Sequence, residues 1–210
     1  MPKHKKIMSH YVITISRQFA SMGRTIAKEM SKRLNINFMD RDIVAETAKR
    51  MGLSIQSVSD HDETVRKGNF FMRHAYLFHM DVYDINREIY EVQKSVIRDF
   101  ASKNSCIIVG RCADAVLADM DNVLNIYVYA PFEKRFDNCV NQLMMDPKTA
   151  RDTIRRVDKA REDYRRTYEP EAADSELTHR HILIDSSKFT IPDCADILCM
   201  CAQRALKIDS

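Results

Sequence analysis

Five short apolar runs alternate along the chain with longer stretches of helical spacing, and few architectures accept that pattern. The runs are Tyr11 to Ser16 (YVITIS), Asn37 to Met39, Cys106 to Val109 (CIIV), Val123 to Tyr129 (VLNIYVY) and His181 to Ile184 (HILI). Each is short and several are β-branched, which suits strands buried on both faces. Between them, Gly23 to Leu34 carries apolar Ile26, Ala27, Met30 and Leu34 at helical steps. A long helix is predicted from about Met72 to Lys103, where Ile85, Ile89, Val92, Val96 and Phe100 form a stripe. Further helices are predicted at about Phe132 to Met144, Pro147 to Tyr168 and Pro192 to Leu206. Pro147 suits a first helical position. Asp40 is placed to cap the helix that follows it. Strand and helix in alternation imply a parallel sheet with right-handed crossovers. The whole is an α/β chain with helices on both sides of a central parallel sheet.

Composition agrees. Of 210 residues, 45% are hydrophobic, enough to fill one core and too many for a disordered chain. The four glycines are too few for an all-β protein rich in tight turns. No apolar run is long enough to cross a bilayer, so no membrane partner is expected. A formal net charge of +3 does not argue for nucleic-acid binding. The basic stretch Met1 to His10 lacks an apolar signal-peptide core and reads as a solvated arm on a cytoplasmic protein. The six cysteines show no paired metal-ligand spacing and read as buried free thiols. His74 and His79, five apart, are poorly spaced for a shared metal. The sequence is read as a single domain, with a core at about 10–145 and 180–208 and a helical lid at about 147–178. It leaves open self-association into a homo-oligomer.

In parallel sheets, ligands sit at the carboxyl ends of strands. Three segments at or near such ends carry the candidate chemistry. The first is Ser16-Arg17-Gln18-Phe19-Ala20-Ser21-Met22-Gly23-Arg24-Thr25. Laid on the phosphate-loop pattern G-x-x-x-x-G-K-[ST], it puts Gln18 at the first glycine, Gly23 at the second, Arg24 at the lysine and Thr25 at the magnesium-side hydroxyl. A helix starting near Gly23 points unpaired N–H groups and a positive dipole end at this loop. An ordinary βα turn would look the same. The second segment is Gly110-Arg111-Cys112-Ala113-Asp114, where the arginine suits a phosphate and the carboxylate suits amino or hydroxyl groups. A loop salt bridge with a helix cap by Asp114 is the plainer reading. The third, Arg151 to Tyr168, has seven Lys/Arg and four Asp/Glu. Charge runs are usually solvated faces. Here, however, Arg161 falls on the inward stripe of Ala150, Ile154, Val157, Tyr164 and Tyr168. A cation there needs an anion, either Asp158 or a bound phosphate. Asp185-Ser186-Ser187 reads as a turn near the last strand end, and Cys199-Met200-Cys201 as core packing.

Together these segments resemble the cytidylate kinase-like family, a branch of the P-loop nucleoside monophosphate kinases. The resemblance runs from ITISRQFASMGRTIAKEMSKRLNINFMDRDIV through IIVGRCADAVLAD to DKAREDYRRTY and ILIDSS. It implies a P-loop NTPase-type three-layer α/β/α fold with a helical lid. It implies transfer of a phosphoryl group from ATP, with Mg²⁺, to a nucleoside monophosphate, a pyrimidine such as CMP being the first choice. Carried over by position, Ser21, Met22, Gly23, Arg24 and Thr25 would hold the donor phosphates, with Thr25 toward the magnesium. Asp40, Arg41, Arg111 and Asp114 would bind the acceptor. Arg155, Asp158, Arg161 and Arg165 would form the lid, with Arg24, Arg155 and Arg161 catalytic. The chain departs from the family pattern where Ala20 and Met22 replace loop glycines. If either needs a positive φ, strain of about 1 kcal/mol is expected. The alternative implied by that departure is a nucleotide-binding regulatory protein with a kinase fold and little catalysis.

Overall fold

The structure, a computed structural model, describes residues 10–59, 82–174 and 179–208. The predicted start of the long helix near Met72, and His74 and His79, lie outside the described residues. The elements in chain order are β1 (Val12–Arg17), α1 (Gly23–Leu34), β2 (Asn37–Met39), α2 (Arg41–Met51), α3 (Ile55–Ser59), α4 (Val82–Lys103) and β3 (Cys106–Val109). Then follow α5 (Ala113–Val116), β4 (Val123–Tyr129), α6 (Phe132–Asn141), α7 (Pro147–Tyr168), α8 (Pro170–Asp174), β5 (Ile182–Asp185) and α9 (Ile191–Leu206).

The five strands form one parallel sheet in the order β2-β3-β1-β4-β5. β1 is central, with Val12 level with both Cys106 and Val123. Alternate β1 side chains serve two cores. Ile13 and Ile15 pack with Ile26, Met30, Ile126, Val128 and Leu198, under α1 and α9. Val12 packs with Ile97, Cys106, Ile108 and Leu117 on the opposite face. The period of two along the strand thus yields the three layers.

Helix ends follow local chemistry. Asp146 accepts the Lys148 N–H with Pro147 in the first turn, and Thr190 and Asp193 form a reciprocal capping box on α9. Two expected details differ. Asp40 precedes α2 but makes no side-chain cap, because Arg24 and Arg111 take its carboxylate. Asp114 makes no cap on α5, since Arg165 holds it from α7. The short helices α3, α5 and α8 lack the length that makes periodicity readable. Five of the six cysteines are buried and Cys201 is partly so, all as free thiols. Burial pushes the Cys106 thiol up to about 12 and the Cys199 thiol to about 11.

Candidate functional site

A cleft of about 710 Å³ opens where β1, β3 and β4 end and α7 crosses them. Its volume is that of a small-molecule site. Ser16, Arg17 and Gln18 come from the end of β1, Gly110, Arg111 and Cys112 from the end of β3, and Tyr127 from β4. α7 contributes Arg155, Asp158, Lys159, Arg161, Glu162 and Arg165. Among the described residues, nine Lys or Arg line the cleft: Arg17, Arg111, Arg135, Arg155, Lys159, Arg161, Arg165, Arg166 and Arg180. Two acids of the described residues, Asp158 and Glu162, line it with them. So many cations in a concave, partly desolvated space favour a multiply charged anion.

The loop after β1 is bound on all sides. Gln18 donates its N–H to the Val128 carbonyl, and its side-chain Oε1 accepts from Ala130 N–H. Phe19 N–H donates to Asp158 Oδ1 at 2.6 Å. The Phe19 and Ala20 carbonyls accept from Arg135 and Asn138 of α6. The Ser21 hydroxyl is turned inward, within bonding distance of the Gln18 and Val128 carbonyls. Ser186 Oγ donates to the Ser21 carbonyl at 2.8 Å, so the segment after β5 buttresses the loop. Ala20 and Met22 both sit in left-handed backbone, at φ 59° and 61°. Gly23 is required by space: a Cβ there would lie 2.9 Å from Arg17 Cβ and 3.1 Å from Val128 Cβ. The first turn of α1 can therefore press against β1 and β4 only without a side chain.

The turn after β3 is left-handed three times running, at Gly110, Arg111 and Cys112. Non-glycine residues in such backbone cost roughly 1–3 kcal/mol each, and such strain gathers at functional sites. Arg111 is buried, with Nη1 near the Val109 carbonyl and Asp40 Oδ1. Asp40 also accepts from Arg24 Nε. Arg24 thereby turns toward Asp40 and Phe38.

On α7 the predicted stripe is inward: Ala150, Ile154 and Tyr164 are buried. Arg161 Nη1 donates to the Arg17 carbonyl at 3.1 Å. Asp158 pairs with Arg135 and with the loop amide already described. Arg165 meets Asp114 in a buried two-pronged ion pair at 2.8 and 3.0 Å and also donates to the Ala172 carbonyl.

The structure thus gathers Arg111, Arg155, Asp158, Arg161 and Arg165 on the cleft. Ser21, Met22, Gly23, Arg24, Thr25, Asp40, Arg41 and Asp114 do not line it. Thr25 and Arg41 are exposed, and Asp114 lies behind Arg165. Sequence reasoning quoted Arg17 in the first segment without giving it a role, and missed Arg135 and Arg180. Arg17 stands at a strand end, where a signal existed. Arg135 lies on a helix whose orientation no motif announced. Arg180 lies over the Tyr127 ring at 3.5 Å. Its neighbours fix it, since Asn125 donates to the His179 carbonyl and to His181 Nδ1.

A model of the cytidylate kinase-like family matches residues 12–188. An uncharacterized protein from Eubacterium ventriosum has a solved structure with TM-score 0.69 at 22% identity, covering 92% of this chain and 99% of that one. Shikimate kinase from Acinetobacter baumannii, solved with shikimate, gives 0.52 at 13% identity, covering 96% of each. Shikimate kinase from Bacteroides thetaiotaomicron gives 0.52 at 13% identity, covering 94% of this chain and 99% of that one. These likenesses show that the chain shares the P-loop-type three-layer α/β/α fold of these proteins. Among curated proteins none matches.

Proposed function

Because the chain belongs to the cytidylate kinase-like family, we propose that it transfers the terminal phosphoryl group of ATP to a nucleoside monophosphate. A pyrimidine monophosphate such as CMP is the first acceptor to test. The observation that carries this reading is the convergence of Arg17, Arg111, Arg135 and Arg161 from separate elements on one cleft. A phosphate chain is the ligand that such a set of cations fits.

In this reading Arg111 takes the acceptor phosphate, and Asp40 holds Arg111 and Arg24 in place. Arg155 and Arg161 act from α7 on the phosphoryl group in transfer. Asp158 and Arg165 complete the lid, and Arg41 and Asp114 support acceptor recognition. Ser21 to Thr25 follow the cleft-lining Gln18 at the head of α1 and would serve the donor phosphates from there, with Arg24 exchanging Asp40 for phosphate to act as their cation. Magnesium, when bound, supplies charge neutralisation on the phosphate chain and asks for few protein ligands. Thr25 is the hydroxyl in register for it. Among the described residues no group of three His, Cys, Asp or Glu side chains could hold a metal by themselves. An acceptor phosphate is already a nucleophile, so no general base is needed. The protein's task is positioning and charge stabilisation. α7 lies across the cleft and would exclude water from it.

The test is a steady-state assay with ATP, magnesium and a panel of nucleoside monophosphates. Transfer to at least one, with a pyrimidine preferred, is expected. No transfer to any at high enzyme concentration would remove the proposal. Arg161→Ala should lower kcat by roughly a hundredfold with little effect on folding. A well-folded variant at the parental rate would refute that role.

One observation favours a second reading, a nucleotide-binding regulatory protein with little catalysis: Ala20 and Met22 occupy left-handed backbone. Calorimetric nucleotide binding without turnover would favour it.

A further inference from the structure

Asp158 is in an unusual position for an acid in an anion-binding cleft. Its Oδ1 accepts the backbone N–H of Phe19, in the loop after β1, at 2.6 Å. Its Oδ2 is held by Arg135. Arg135 is itself buried and anchored by its Nε to the Ala130 carbonyl and by Nη1 to the Phe19 carbonyl. One amide and one fixed guanidinium, held together by the fold, make a two-donor seat for an oxyanion. Asp158 fills that seat with two oxygens, as two phosphate oxygens would. The seat opens on the cleft, which Asp158 and Arg135 both line. The Asp158 side chain is 27% exposed, so an incoming anion can reach it.

We propose that the Phe19 amide and Arg135 form a phosphate subsite that the Asp158 carboxylate occupies as an internal stand-in, displaced when a polyphosphate enters. This rests on the reading above that the cleft takes phosphate chains. Phosphate and carboxylate cannot share the seat, because like charges at bonding distance repel. Displacement frees α7 from the loop at residue 158, while Arg161 still reaches the Arg17 carbonyl from the next turn. Asp158 thus lowers polyphosphate affinity and couples ligand entry to the seating of α7.

The experiment is calorimetric titration of inorganic tripolyphosphate into the wild type, Asp158→Asn and Glu162→Gln. The asparagine keeps an acceptor for Phe19 but loses the charge. Asp158→Asn should bind about tenfold more tightly than wild type, the scale of one charge-assisted hydrogen bond. Glu162→Gln removes the other acid that lines the cleft among the described residues, one paired with Arg166, and should change affinity by less than about threefold through screened electrostatics alone. Unchanged or weaker binding by Asp158→Asn, or an equal gain from Glu162→Gln, would overturn the proposal while leaving phosphate binding intact. No binding by any of the three would overturn phosphate binding itself, and the subsite with it. Should Asp158→Asn fail to fold, the ¹³C carboxyl resonance of Asp158 in the wild type provides the readout. It should move on saturation with tripolyphosphate; a fixed resonance in the saturated protein would overturn the displacement.

Discussion

Ala20 and Met22 show what single residues do to this loop. Both hold left-handed backbone, which disfavours any residue with a Cβ. Ala20→Gly and Met22→Gly should each raise unfolding free energy by about 0.5–1 kcal/mol, read by urea titration, and should tighten ATP binding. A drop in stability would show that the side chains contribute more than the strain costs. Gly23 behaves oppositely. Its φ is ordinary, but there is no room for a methyl group between Arg17 and Val128. Gly23→Ala should destabilise by about 1–3 kcal/mol, and an unchanged denaturation midpoint would contradict the close approach. The sequence already marked positions 20, 22 and 23. It did not show that two of them are constrained by φ and one by space, because that depends on where β4 lies.

At the scale of elements, α7 ties the molecule together. It meets the β1 loop through Asp158 and Arg161, and the turn after β3 through Arg165 and Asp114. The latter pair is almost fully buried, so breaking it leaves a charge in a dry site. Asp114→Ala should cost about 3–5 kcal/mol of stability, measured by chemical denaturation. A loss below about 1 kcal/mol would place the pair in the class of exposed salt bridges. The inward stripe of α7 was legible because helical periodicity locates faces. The partners of its charged residues were not, since pairing depends on tertiary distance. The sequence left the anion for Arg161 open between Asp158 and a bound phosphate, and it gave no sign that the Asp158 carboxylate also meets Arg135, 23 residues back along the chain. Asp40 likewise was read as a cap from its local position, and two arginines from other elements take it.

The molecule as a whole was legible in class, because five short buried runs alternating with helices leave few options. The strand order β2-β3-β1-β4-β5 was not, since periodicity carries no information on which strands are neighbours. Burial has a consequence for the whole fold. The Cys106 thiol, held up near 12 by burial, and Cys199, near 11, are kept protonated by folding. The unfolded chain gives up these protons nearer pH 9, so this contribution is complete below pH 9 and is lost as pH rises toward 12. Denaturation midpoints should fall steadily over that range, and Cys106→Ala should flatten the slope. Equal slopes in both proteins would contradict the assignment. The central claim is that two phosphate-bearing ligands meet end to end in the cleft under α7. Calorimetry with a bisubstrate analogue, cytidine and adenosine joined through a polyphosphate bridge, tests it most directly. The analogue should bind more tightly than ATP or CMP alone, and lose that advantage in Arg111→Ala; binding no tighter than either nucleotide would contradict the claim.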